Sequence, residues 1–302
     1  MFQKQVDGVV QESFDSISLF LCMHLVSRFK ELCHKKGFGA LDRYWESLTS
    51  LIWPRFSMLM QMNTQSIKEC DPLKMKAVDQ RPHYVTRRYA EFAAGLLSVS
   101  DASMSPIDEK VSRLLSDMQQ EVEHFILKMT SVFEGRKSQL IFLINNYDMV
   151  LSILSEHSHG ESRELDSFKD LLATRSAEYV EQILQPHFGT LVKFVQDSEV
   201  HMASGNERAL REEFEVVSVL LRNFNAGWKR GLDAINQEVL SSFPNFKNGT
   251  QILQQTLTQF VQYYHRFHKV MSHAAFASHP DRAQLINIHQ LMVEVKKYKP
   301  SF

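Results

Sequence analysis

Glycine and proline are scarce in this chain of 302 residues, at 11 and 8. No Gly-rich loop occurs, which excludes the phosphate-cradling turn of Walker-type nucleotide sites and the fingerprint turn of dinucleotide-binding folds. Cysteine is rarer still. Cys22, Cys33 and Cys70 form an odd, dispersed set, read as buried or free thiols of a reducing compartment and not as a disulfide framework. Charge of one sign is also lacking: the net charge is −1, so there is no global pull toward nucleic acid, and no nucleic-acid partner is expected. Met1 is followed by polar residues instead of a basic and then apolar segment, so no signal peptide is expected. The sequon Asn248-Gly249-Thr250 matters only in a secretory lumen. No Gly-x-Ser-x-Gly elbow is found, and Cys33 and His34 are neighbours in sequence only, so hydrolase chemistry has no anchor.

A long uninterrupted apolar run is absent too. The most apolar stretch, SQLIFLINNYDMVLSIL (Ser138–Leu154), is broken by Asn145, Asn146 and Asp148, whereas a membrane span needs about 20 mostly apolar residues. It is expected to be a buried helix. On a helical wheel Ser138, Asn145, Asp148, Ser152 and Glu156 share one stripe, which places Asn145 at a polar edge. Asn146 falls inside the apolar arc. A buried amide left without a partner costs about 1–3 kcal/mol, so Asn146 is expected to bond a neighbouring backbone and fix packing register.

What the chain does contain is apolar residues at helical spacing along nearly its whole length, with 44% hydrophobic residues to build a core. The expected fold is all-α: an elongated rod of antiparallel helical bundles, in two parts, 1–160 and 161–302, divided at the polar turn around Gly160. The first helix, about Ser13 to Lys35, is expected to bury Phe14, Ile17, Leu21, Leu25, Phe29 and Leu32. A second, about Leu41 to Glu69, is expected to bend or restart at Pro54, which lacks a backbone donor. A third begins near Pro82 and buries Val85, Tyr89, Phe92 and Leu96. Ser105-Pro106-Ile107-Asp108 has the form of a capping box. It opens a long helix, 106–157, that would reach about 75 Å if continuous at 1.5 Å per residue. Its heptad seam Val111, Leu115, Met118, Val122, Phe125, Met129 and Val132 fails at Arg136 and resumes, displaced by four residues, at Leu140. A stutter of this kind unwinds a coiled coil locally, and Gly135 at the break is a plausible bend. Helices over about Glu164–Leu184, Thr190–Met202, Glu207–Phe243, Thr250–Ser272 and Pro280–Lys297 complete the chain.

Several clusters invite chemistry. Glu31/His34 and Glu121/His124 have the Glu-x-x-His spacing of di-iron bundles, but neither pair faces its helix's apolar seam. His265, His268 and His273 lack further ligands at zinc spacing. A metal-binding bundle is therefore the weaker alternative, and neither a catalytic centre nor a cofactor is expected. RPHYVTRRYAEF concentrates Arg81, Arg87 and Arg88 beside aromatics, and Lys296, Lys297 and Lys299 crowd the C-terminus. These six are either solvated charges with local ion pairs or contacts for an acidic partner or an anionic membrane surface.

The blocks LDRYWESLTSLIWPRF, RPHYVTRRYAEF, SQLIFLINNYDMVLSIL, FPNFKNGTQILQQTLTQFVQYYHRFHKV and LINIHQLMVEVKKYKPSF resemble, in matching order from about Phe14 to Phe302, the C-terminal half of the vacuolar protein sorting fifty-two family. Its members are subunits of the Golgi-associated retrograde protein complex and the endosome-associated recycling complex. FLINNYDMVL also resembles a helix of other tethering subunits, including those of the exocyst. The resemblance implies stacked helical bundles without catalysis. The implied role is tethering of endosome-derived vesicles at the trans-Golgi network, on the cytosolic face of that compartment and of endosomes. The implied partners are other complex subunits, a Rab-class small GTPase and SNAREs. Family members assemble with sister subunits through a long N-terminal region with coiled coil, so the part seen here is expected to act as a distal leg. A membrane-surface-binding helical module is the alternative.

Overall fold

The computed structural model describes residues 2–75, 78–103, 108–157 and 163–298. Within them all regular structure is helical, as the periodicity predicts. The chain forms two compact units, Met1–Leu172 and Ala173–Phe302. Their division lies inside one helix and not at the Gly160 turn, which falls outside the described residues. The reason is packing: Leu165 and Phe168, at the start of that helix, are buried in the core of the first unit.

The first unit contains α1 (Phe2–Glu12), α2 (Ser16–Lys35), α3 (Asp42–Lys68), α4 (Tyr84–Ser103), α5 (Glu109–Met129) and α6 (Arg136–His157). α2 packs on α3 and α4, α3 along α5, and α4 along α6. The seam residues of α5 from Val111 to Met129 are buried as expected, and so are Leu140, Leu143, Tyr147, Val150 and Leu154 of α6. The single helix over 106–157 is not formed, however. α5 ends in a short 3-10 turn, Thr130–Val132, Phe133 is extended, and Gly135 adopts a positive φ of 79°. That backbone conformation is open to glycine and cannot continue a helix, so the heptad stutter marks a full break. Ser105–Ile107 of the expected capping box lie outside the described residues. The α5 N-cap is Asp108, whose carboxylate accepts from the Lys110 N–H at 2.8 Å.

Two further expectations need correction. α3 continues as one helix through Pro54. Proline removes one backbone bond, while Ile52 and Phe56 on either side are both buried and hold the helix to its neighbours. α2 turns a different line inward from the expected one, of which only Ile17 packs against the core. Leu19, Phe20 and Val26 point into the core, whereas Leu21, Leu25, Phe29 and Leu32 are 41–50% exposed. Phe14 is also exposed, with the Arg55 guanidinium over its ring at 4.8 Å.

The second unit holds the remainder of α7 (Arg163–Ala203), then α8 (Glu207–Glu212), α9 (Phe214–Ser242), α10 (Phe246–Met271) and α11 (Ile288–Lys296). α7 runs through Pro186 without the expected break, and the expected helix over Pro280–Lys297 is a 3-10 turn followed by α11. Aromatic rings tie the helices together: Phe188 lies 4.3 Å from Phe260, Phe224 stacks 5.1 Å from Tyr264, and Phe194 meets Phe267 edge-on at 5.7 Å. Gly231 of α9 leaves room for the Phe188 ring, since a Cβ there would stand 3.0 Å from it. Asn248 of the sequon is buried within α10.

Candidate functional site

α6 is a central helix. Eight successive residues, Leu140 to Tyr147, are buried, so its middle has no polar edge. A buried helix must still satisfy every polar side chain it carries, and its two asparagines do so on the same loop. The Asn146 side-chain carbonyl accepts the His83 N–H at 2.9 Å, and its amide donates to the Phe142 carbonyl at 2.8 Å. The neighbouring Asn145 is 3% exposed and donates to the Gln80 carbonyl at 2.8 Å. Asn145 was therefore misplaced by the wheel. Its stripe has the right period, but α4 and the 80–83 loop cover that side. The amide pair thus clamps Gln80 and His83 and fixes the residues between them as a ledge.

The ledge leads into α4. Arg81 and Pro82 form it, and the His83 ring caps the helix, with Nδ1 accepting the Val85 N–H at 3.3 Å and the ring lying 5.2 Å from Phe125. Burial holds the His83 imidazole below the usual histidine range, and the same cause lowers His24. Both rings favour the neutral state in the folded protein. The stability they contribute is complete above the unfolded value of 6.5 and falls as pH drops below it, until the folded pKa is passed. A thermal-melt series from pH 7.5 to 5.5 is expected to show this loss, and His83→Gln is expected to flatten the slope. An unchanged slope would remove His83 from the account.

The ledge and the first turns of α4 carry the arginines. Arg81 pairs with Asp79 at 3.8 Å and Arg87 with Glu91 at 4.0 Å, while the Arg88 guanidinium lies 5.5 Å from the centre of the Tyr84 ring. The C-terminal lysines are elsewhere, in the second unit. Lys296 is exposed on α11, and Lys297 shares Glu294 with Lys229, at 2.7 and 3.4 Å. These contacts, hydrogen-bonded to Lys297 first and to Lys229 second, hold the Glu294 carboxyl below the usual range. Lys299 lies outside the described residues. The structure thus brings Arg81, Arg87 and Arg88 together on one short segment and gives the lysines their own setting. Gly135 and Pro54 occupy purely backbone roles, a helix break and an unbroken helix.

The histidines have separate settings, and His265 is exposed. His34 meets Asp42 at 3.1 Å while Glu31 meets Lys35 at 2.6 Å. Glu121 stands 3.7 Å from Lys68 and 3.8 Å from His124. His268 Nε2 lies 3.0 Å from the Ile286 carbonyl, and His273 caps the following turn through the Ala275 N–H. His279, unremarked in the sequence, is buried against the Phe214 carbonyl at 3.0 Å. Among the described residues no three His, Cys, Asp or Glu side chains converge as a metal site would require. No described helix is long and apolar enough to cross a membrane. The arrangement can hold and present charge.

Comparison with known proteins places this geometry in a family. The family model described as Vps52, C-terminal, matches residues 1–180. The human vacuolar protein sorting-associated protein 52 homolog is 45% identical over 302 residues, covering 100% of this chain and 41% of that protein. The homolog from Caenorhabditis elegans is 34% identical over 302 residues, covering 99% of this chain and 43% of its own length. Arabidopsis thaliana vacuolar protein sorting-associated protein 52 A is 30% identical over 304 residues, covering 100% of this chain and 42% of its own length. The chain therefore spans about two fifths of the curated relatives it matches. No solved structure matches it. The long apolar helix with its twin asparagines and the arginine segment it clamps both lie within residues 1–180, and the chain belongs to the Vps52 family.

Proposed function

We propose that the chain is a non-catalytic subunit of a vesicle-tethering complex acting in endosome-to-trans-Golgi retrograde transport, and that its helical bundles serve as a protein-interaction leg. The observation that carries this reading is the similarity to proteins named for vacuolar protein sorting, which covers the whole chain at 45% identity in the human relative. The complexes are the Golgi-associated retrograde protein complex and the endosome-associated recycling complex. The partners are their other subunits, a Rab-class small GTPase and SNAREs, met on the cytosolic face of the trans-Golgi network and endosomes. The work is positional. Weak contacts made together by several subunits gain strength from effective concentration, commonly 10²–10⁴-fold (about that range for linked modules), without any new chemistry.

The arginine ledge supports a binding role, because its backbone is fixed by two buried amides before any partner arrives, and preorganisation lowers the ordering cost of association. The test is retention on the immobilised chain of purified sister subunits and of small GTPases loaded with GTP or GDP. Retention of a subunit, or of a GTPase in its GTP form only, is the expected result. Failure to retain any of them would contradict the reading.

A further inference from the structure

Beside the ledge, the end of α3 and the start of α4 leave a groove of about 340 Å³. Ile67 of α3, Val85 and Phe92 of α4 and Met118 of α5 give it apolar lining, Asn63 and Ser66 of α3 a polar part, and Tyr84 and Arg88 line it as well. Val85 and Phe92 are only half-buried, although the α4 periodicity predicts them as core. Here an apolar surface sized for a ligand is open on one side.

The charges around the groove differ in one respect. Lys68 pairs with Glu121 at 3.7 Å, Lys74 with Asp71 at 3.6 Å, Arg81 with Asp79 and Arg87 with Glu91. Arg88 has no carboxylate within 4.0 Å among the described residues and instead rests over Tyr84, a ring that is 56% exposed. A guanidinium stacked on an aromatic face keeps its in-plane N–H groups for a bidentate acceptor, and the ring limits its freedom beforehand. Among the described residues the groove therefore offers a partly apolar pocket with one unmatched, oriented cation, Arg88, at its edge.

We infer that this groove binds a short segment of a partner protein in which a bulky apolar side chain lies next to a carboxylate. The apolar group packs on the apolar lining, and the carboxylate meets Arg88. One unmatched cation suits one carboxylate. A lipid headgroup layer or a nucleic-acid backbone rewards several free cations together, and among the described residues here Lys68, Lys74, Arg81 and Arg87 are already paired. The inference rests on reading the chain as a subunit that binds other proteins, and it names the chemistry of one such contact.

The probe is a fluorescein-labelled peptide, acetyl-Gly-Asp-Phe-Glu-Leu-Gly-amide, titrated with the full chain and followed by anisotropy. A second peptide carries Asn and Gln in place of its acids, and phosphatidylserine vesicles form a third arm. The acidic peptide is expected to bind about tenfold tighter than the neutral one, the usual advantage of a charge-assisted pair. Arg88→Gln is expected to abolish that difference, while Arg87→Gln on the adjacent exposed position preserves it. Ser66→Trp, on the groove's exposed α3 edge, is expected to weaken both peptides with an unchanged thermal melt. Equal binding of the two peptides, an Arg88→Gln chain that still distinguishes them, or binding confined to the vesicles would each overturn the inference. Peptide binding alongside failed subunit retention would sink the tethering reading alone. The reverse pattern would sink the groove alone.

Discussion

Asn146→Leu is expected to destabilise the protein by about 2–3 kcal/mol, although leucine has the same branched side-chain skeleton and the site is fully buried. On hydrophobicity alone the substitution should help, because it places an apolar group in an apolar arc. The opposite sign follows from what the amide does. Its carbonyl is the acceptor of the His83 N–H at 2.9 Å, and leucine would leave that donor without a partner inside the bundle. It would also remove one of the two anchors of the Gln80–His83 loop, leaving Asn145 on Gln80 as the other. Chemical denaturation gives the magnitude. Amide exchange adds a local readout: the His83 N–H is expected to exchange faster in the variant, while amides in the middle of α5 keep their protection. A variant as stable as the parent, with His83 still protected, would remove the clamp from the account.

The second large effect concerns α2. Phe20 is 2% exposed, stacks 5.6 Å from Phe56 and meets His24 edge-on at 4.5 Å. Phe20→Ala is expected to cost about 3–5 kcal/mol, from lost transfer energy and the cavity left between α2 and α3. Leu25, five residues on, is 41% exposed, and Leu25→Ala is expected to cost about 0.5 kcal/mol or less, since alanine is at least as good a helix former. The same pair of substitutions tests the orientation of the helix. If Leu25→Ala were the damaging one, α2 would face as the periodicity alone predicts.

That helix shows where sequence reasoning stops. α2 is apolar on two sides. The set Leu21, Leu25, Phe29 and Leu32 keeps helical spacing as well as the set Leu19, Phe20 and Val26 does. Spacing identifies a helix and its candidate faces, but the choice between them is made by the helices that meet it, α3 and α4, which lie outside its own sequence. The all-helical class, the α5 seam and the buried nature of α6 were legible because each rests on local period and composition. Asn146 was legible for the same reason: an amide within an apolar arc needs a partner, whatever the fold.

Asn145 was not legible. Its polar stripe is a property of one helix considered alone, and from Leu140 to Tyr147 α6 is covered on every side by chain that the wheel does not contain. Gly135 was legible as a position and underestimated in effect. The shifted heptad shows that the helix cannot stay straight, whereas only a backbone at φ 79° shows that it ends. Pro54 and Pro186 err in the opposite direction. One lost hydrogen bond is a local penalty, and buried neighbours on both sides outweigh it. At the candidate site, the clustering of Arg81, Arg87 and Arg88 was visible, but their differing fates were not. Ion pairing depends on Asp79 and Glu91, and the aromatic seat of Arg88 depends on how Tyr84 leaves the ledge.

The most direct measurement is replacement in cells. In human cells depleted of their own vacuolar protein sorting-associated protein 52 homolog, this chain would take the place of the matching 41% of that protein, and return of an endosomal cargo to the trans-Golgi network would be followed. Restored return is the predicted result. A chimera that accumulates normally and joins its complex, yet leaves cargo stranded in endosomes, would contradict the account.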